Sequence, residues 1–415
     1  MKSYSGFLYL FLFVLIAISG CSSSPKFTSR NDELLGRYSS ASEGDAIRVL
    51  MDNPSNSFTW TVESKINLAI DSKNFGIINR GIEIELVPNG DDVNLRIAGR
   101  IISGKVIVLS PEEGLISFKG HLYRGTIKVF SENGSISIVN SLPLEDYLKG
   151  VLPLEMPIGN NNENYEALMA FAICARTYSL NKLYENKSTF DVYIDTRDQV
   201  YGGAENEKDI TNKAVDETRD LILTYNGKPA ITYYSAACGG HTENAKNVFS
   251  ASGPDLPYLA GVKDGDGPNC AIAPKFEWEE RYTQSVLVDR LKTAGLIDNV
   301  NFMVGGIEVA SRFESGRVNE LRITLSSNVG DDKVVSVYGN NIRSVIRTAN
   351  NKGILRSNLF DISIEAGDII IKGRGYGHGV GLCQWGSIYL SRIGWNYQAI
   401  LNHYFPGTQI GKIHR

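Results

Sequence analysis

Apolar and polar positions alternate with period two over much of residues 31 to 140. Ile66-Leu68-Ile70, Ile82-Ile84-Leu86, Val93-Leu95-Ile97 and Val106-Val108 are examples. Such alternation predicts half-buried β-strands, with the named residues facing a core. IKVF, SENG and SISIV in succession predict a hairpin turning at Asn133-Gly134. This stretch reads as all-β, carries no catalytic constellation and suggests a carrier or docking module. At Leu142 the pattern changes. LPLEDYLKGV predicts a short amphipathic helix with Pro143 in its first turn and Glu145 and Asp146 near its positive end, stopped by Pro153. Residues 163 to 184 predict a long helix whose apolar face holds Ala167, Ala170, Phe171, Cys174, Tyr178 and Leu180. A further helix is expected over 209 to 220 and an apolar strand over 230 to 237. Mixed helix and strand follow over 285 to 350, then a glycine loop and a helix from about Leu382 to Arg392. The fold class that results is α+β, with a β-rich N-terminal part.

The first residues read differently. Phe7 to Ile18 is an apolar run with the length of a signal-peptide core, and it ends in Ile18-Ser19-Gly20-Cys21. Small residues before a cysteine resemble a bacterial lipobox, in which Cys21 is lipidated and becomes the mature first residue. The expected organisation is therefore a lipoprotein leader (1–21), a tether (22–30), a β-rich region (31–122) and the remainder (123–410). The chain has 42 basic and 46 acidic side chains, so its near-neutral balance argues against a nucleic-acid partner. Export would place Cys174, Cys238, Cys270 and Cys383 where disulfides are permitted.

Several residues are candidates for chemistry. Glu155 follows a helix end, between Leu154 and Met156 and just before Pro157. Apolar neighbours there would keep its carboxyl protonated, as a general acid requires; the alternative is a surface Glu paired with a base. Arg176, on the long helix beside Tyr178, could meet a carboxylate or an anionic substrate. In DTRDQVYGG, Asp195 and Thr196 suggest a turn and Tyr201 could stack on a sugar. Cys238 and His241, three apart, could both ligate zinc. Cys270 is the candidate for a further ligand; a Cys238–Cys270 disulfide explains the same residues equally well, and unpaired cysteines are the remaining alternative. GRGYGHGVGLCQWG lacks the Lys-Ser/Thr ending of a phosphate loop. Its glycines instead allow close approach of a ligand or another segment, and His378, Gln384 and Trp385 could line a cleft.

Taken in order, YRGTIKVF, SLPLEDYLKGVLPLEMP, EALMAFAICARTYSL, DTRDQVYGG, YYSAACGGHTEN, GRGYGHGVGLCQWG and ILNHYFPGTQI resemble the stage II sporulation protein D family, also called the amidase-enhancer family. The blocks run from Tyr123 to Ile410. The resemblance implies an envelope protein acting on peptidoglycan. In particular it implies a lytic transglycosylase whose acid is the Glu of EMP, Glu155 here. Such an enzyme protonates the oxygen between muramic acid and glucosamine. It then takes the proton of the muramic C6 hydroxyl as a 1,6-anhydro ring closes, with no cofactor required. The resemblance also allows a non-catalytic protein that binds glycan and recruits or stimulates a cell-wall amidase. Members with a zinc site place a His and a Cys before QVY, where this chain has Arg197 and Asp198.

Overall fold

The computed structural model describes residues 46–185, 189–249, 255–298, 301–327 and 332–413. The leader, Cys21 and the tether lie outside them. No helix of the described residues is long and apolar enough to cross a membrane.

The chain combines strands and helices, as expected. A seven-stranded sheet runs in the order Val192–Tyr193, Ala46–Leu50, Ser135–Pro143, Thr126–Glu132, Val106–Pro111, Ile66–Ile70, Lys73–Ile78. A four-stranded sheet of Phe58–Thr61, Glu83–Asn89, Asp92–Ile97 and Arg100–Gly104 accompanies it. The predicted hairpin forms: Glu132 pairs with Ser135, and Asn133 and Gly134 have φ of 53° and 74°. That left-handed pair suits the twist of the two strands. Ile66, Leu68, Ile70, Ile84, Leu86, Val93 and Leu95 are buried as the alternation predicts, whereas Ile82 is exposed. In Val106–Pro111 the phase is the reverse of that predicted. Ile107 and Leu109 fill the core, and Val106 and Val108 are only half-buried. Every residue of VIVL is apolar, so composition could not set the phase.

The sheet does not respect the division expected after residue 122. Val106–Pro111 pairs with Thr126–Glu132, and Ala46–Leu50 pairs with Ser135–Pro143 and, in parallel, with Val192–Tyr193. Arg48 seals the parallel edge. Its guanidinium lies 2.7 Å from the buried carboxylate of Asp191, which also accepts the Arg48 backbone N–H. One core extends from Ile47 to Phe405.

Helix α1 (Leu144–Glu155) starts one residue later than predicted, with Pro143 as its cap. It also continues through Pro153, which lies in the last turn and so removes only one helical bond. Helix α2 (Tyr165–Tyr184) is buried on all sides rather than along one face. Leu168, Met169, Ala172, Ile173 and Ala175 are as enclosed as the predicted positions. Such a helix is a core element, not an amphipathic one. Helix α3 (Asp209–Glu217) and a short turn α4 (Ala245–Val248) follow.

Residues 230 to 237 are mostly not a strand. Only Tyr234–Ser235 ladders, in parallel with Leu382–Cys383. The rest satisfies its polar groups elsewhere. The Ile231 N–H donates to the Tyr258 hydroxyl, and the Thr232 hydroxyl donates to the Cys174 carbonyl. Two three-stranded sheets with helices α5 (Gln284–Thr293) and α6 (Asn341–Ile346) form an insert between Glu277 and Arg374. The insert has its own core around Leu291, Leu321, Ile342 and Ile371. Helices α7 (Gln384–Arg392) and α8 (Tyr397–Tyr404) return to the main core.

Arg176 is wholly enclosed. Its guanidinium bridges to Glu145 of α1 through bonds of 2.9 and 2.8 Å and donates to the carbonyls of Val215 and Leu221. It meets the carboxylate that the sequence allowed. It does not reach a substrate, because no part of it is accessible. Removing one member of such a pair leaves a buried charge alone. Arg176→Met is therefore expected to destabilise the fold by about 3–5 kcal/mol, and adding Glu145→Leu should restore part of the loss. Urea unfolding measures both, and a single variant as stable as the parent would contradict the assignment.

Candidate functional site

Glu155 is the last residue of α1, and Met156 after it is extended (φ −123°, ψ 129°), as a residue before proline must be. The helix end aims the carboxyl at two segments remote in sequence. The Val200 N–H donates to Oε1 at 2.8 Å. Gln384, at the start of α7, donates from Nε2 to the Glu155 backbone carbonyl at 2.9 Å and to Oε2 at 3.3 Å. Burial raises the carboxyl above the ordinary range for glutamate, and these two donors oppose that rise without cancelling it. Glu155 is half-buried and, among the described residues, paired with no base, so the surface ion-pair alternative is not what these residues show.

Phenols surround this position. Tyr147 and Tyr234 are both near enough to feel the Glu155 charge, and burial keeps both protonated far above neutral pH. The Tyr147 hydroxyl and the Ser179 hydroxyl donate to Gln199, the residue before Val200. The sequence did not single out Tyr147, Gln199 or the Val200 N–H. A backbone donor carries no residue-type signal at all.

The other expected residues divide. Gln384 joins Glu155. Trp385, next to it, is half-buried against the main core, its backbone N–H donating to the Ala236 carbonyl. Tyr178 donates to Asp198 at 2.6 Å, with Lys182 at 3.2 Å from the same carboxylate. Tyr201 is no sugar platform: it is buried against Tyr147 and Tyr123 and bonded to Asn140. His378 does not join Glu155. It lines a small cavity with Glu243, Asn247, Arg317 and Arg343. Its Nδ1 accepts the Val380 N–H, and burial lowers its pKa to about 3, leaving it neutral. The glycine loop packs closely against the protein's own segments. Gly381 (φ 72°) lies where a Cβ would come within 2.2 Å of the Tyr233 carbonyl oxygen.

The residues considered for zinc do not all lie together. In the segment before QVY, Arg197 pairs with Asp195. Asp198 is taken up by Tyr178, Lys182 and the Tyr193 N–H, so these residues do not suit a cation. His241 is not among the side chains that gather around Cys238, and its Nδ1 lies 2.6 Å from the Thr242 carbonyl. Cys238 does meet Cys270, at 3.7 Å between sulfurs. A disulfide needs about 2.05 Å, so no such bond links them, and all four described cysteines are free thiols.

The family model described as stage II sporulation protein matches residues 132–225, the span that carries α1, α2 and Val200. A second, of a domain of unknown function, matches 260–381, which includes the insert. An uncharacterized protein of Brachyspira hyodysenteriae is 35% identical over 307 residues, 73% of this chain and 76% of its own. The amidase enhancer of Bacillus subtilis is 29% identical over 63% of this chain and 40% of its own. Stage II sporulation protein D of Bacillus amyloliquefaciens is 28% identical over 66% of this chain and 76% of its own. With Glu155, Val200 and Gln384 brought together from three of the blocks first recognised in the sequence, the chain belongs to the stage II sporulation protein D and amidase-enhancer family.

Proposed function

We propose that this protein acts on the bacterial cell wall as a lytic transglycosylase, cutting the bond between N-acetylmuramic acid and N-acetylglucosamine in glycan strands stripped of stem peptides. The observation that carries the reading is the Glu155 carboxyl, raised by burial and held by Val200 and Gln384. A protonated Glu155 donates its proton to the bridging oxygen as that bond breaks. The resulting carboxylate then accepts the proton of the muramic C6 hydroxyl, whose oxygen closes onto C1. Glycosidases that use two carboxylates need the second as nucleophile or base. Here the substrate's own hydroxyl is the nucleophile, and the groups that set Glu155's protonation are its burial, an N–H and an amide. The two donors favour the carboxylate formed after the first proton transfer, so the residue can serve in turn as acid and base.

The same proposal places the protein in the cell envelope, held to a membrane by lipid on Cys21. It rests on the leader motif, and Cys21→Ser should move the chain from the membrane fraction to the soluble one. The name of the amidase-enhancer relative supports a second reading. In that reading the protein binds glycan without cutting it and stimulates a cell-wall amidase.

Detergent-solubilised full chain, incubated with stripped strands, should yield 1,6-anhydromuramic ends by mass spectrometry. Glu155→Gln should lower that yield by at least about 100-fold, the lower bound for a general acid, with little change in melting temperature. Strands that stay intact but co-sediment with the protein would leave the amidase-stimulating reading in its place.

The pH dependence has a definite sign. Cleavage should fall as pH rises through the elevated Glu155 pKa. Gln384→Ala removes a donor to the ionised form, so its falling limb should move to higher pH. Stability follows the same group. A carboxyl whose folded pKa exceeds its unfolded value contributes stability fully below the unfolded value, and loses it as pH rises through the folded one. The stability of wild type relative to Glu155→Gln should therefore decline across that window in urea unfolding. A flat difference would contradict the raised pKa.

A further inference from the structure

Four side chains outside the Glu155 site converge in the core. Cys238 lies just past the Tyr234–Ser235 strand, Asp264 and Cys270 lie in the loop that follows, and Cys383 immediately precedes α7. All four are buried, and one ligand atom from each lies within 4.8 Å of every other. A tetrahedral cation with metal–sulfur bonds of about 2.3 Å sets its sulfurs about 3.8 Å apart. Cys238 and Cys270 stand at 3.7 Å, and the Cys238 sulfur is 3.2 Å from Asp264 Oδ2.

The surroundings suit anionic ligands. The Cys238 N–H donates to the Cys383 sulfur at 3.1 Å, and the Gly239 N–H donates to the Cys270 sulfur at 3.3 Å. The Tyr404 hydroxyl donates to the other oxygen of Asp264 at 2.6 Å, fixing the carboxylate as outer partners fix metal ligands. Gly386 makes room for that bond, since a Cβ there would lie 2.1 Å from the Tyr404 oxygen and 2.7 Å from Asp264. Three thiolates and a carboxylate around a divalent ion carry a net charge of −2. Arg317, almost wholly buried, brings a cation against them by donating to the carbonyls of Cys238 and His241.

We propose that Cys238, Cys270, Cys383 and Asp264 form a closed, structural zinc site. Sulfur-rich tetrahedral sets select zinc over calcium or magnesium, and binding releases the three thiol protons to solvent. The site ties the 238–270 loop to the residue preceding Gln384. The metal therefore holds the donor of Glu155 in place and takes no part in a reaction.

The test is made on detergent-solubilised full chain grown with added zinc. Native mass spectrometry should give a mass above that of the denatured chain by one zinc less the displaced protons. Replacement by cobalt should give the visible bands of a tetrahedral ion and a near-ultraviolet thiolate charge-transfer band. Tyr404→Phe should weaken zinc affinity by about 10–100-fold, while Cys174→Ala and His241→Ala should retain the metal. Cys383→Ser should lose it; should that variant not fold, the cobalt spectrum of the unaltered chain still decides. A native chain with no bound metal would overturn the proposal, as would a disulfide among these three cysteines or a cobalt spectrum without thiolate absorption.

Discussion

The guanidinium of Arg176 is where the helical half of this protein is held in register. It lies on α2, which has no face toward solvent over most of its length. It reaches Glu145 on α1, the Val215 carbonyl on α3 and the Leu221 carbonyl at the start of the next strand. A charge placed so deep is tolerated only when its donors are taken up, and here three elements supply the acceptors. Fixing α1 against α2 fixes the direction in which α1 ends. Glu155 is that end, so a residue with no access to solvent determines where the one carboxyl of interest emerges.

Legibility in the sequence followed locality. The hairpin at Asn133-Gly134, the start of α1 near its acidic first turn and the extended Met156 before Pro157 depend on neighbours in the chain, and they formed nearly as read. What could not be read depended on partners far away. Arg176 and Tyr201 sit in blocks that look functional, yet both spend their polar groups inside the core, on Glu145 and Asn140. The phase of Val106–Pro111 was fixed by which strands flank it, not by its own letters. Glu155 was readable as a candidate from its apolar setting, but the groups that hold it were not. One is a backbone N–H, and the other arrives from the far side of the insert.

The insert is not a passenger between two halves of the main core. It separates the Cys238 segment from the glycine loop in sequence and joins them in space. Arg317, at the turn before Val318–Ser327, donates to the carbonyls of Cys238 and His241. Trp278 donates from its indole to the Gly375 carbonyl at 3.0 Å. Gly379 leaves room for the Arg317 guanidinium, which a Cβ would meet at 2.0 Å. The glycines of that loop thus serve protein-to-protein approach, which accounts for a glycine-rich turn with no phosphate chemistry.

The strand Ala46–Leu50 has a consequence for how the molecule is assembled in time. It lies between Ser135–Pro143 and Val192–Tyr193 and, among the described residues, pairs with no strand nearer in the chain. It is made before both neighbours: Ser135–Pro143 follows only after the rest of the β-rich stretch, and Val192–Tyr193 only after α1 and α2 as well. Until Val192–Tyr193 is made, the mostly apolar segment AIRVL keeps at least one open edge, the kind of surface that pairs with the wrong chain. Pairings this distant also slow folding. Synthesis therefore runs ahead of structure here, and the earliest described residues are among the last that can be seated.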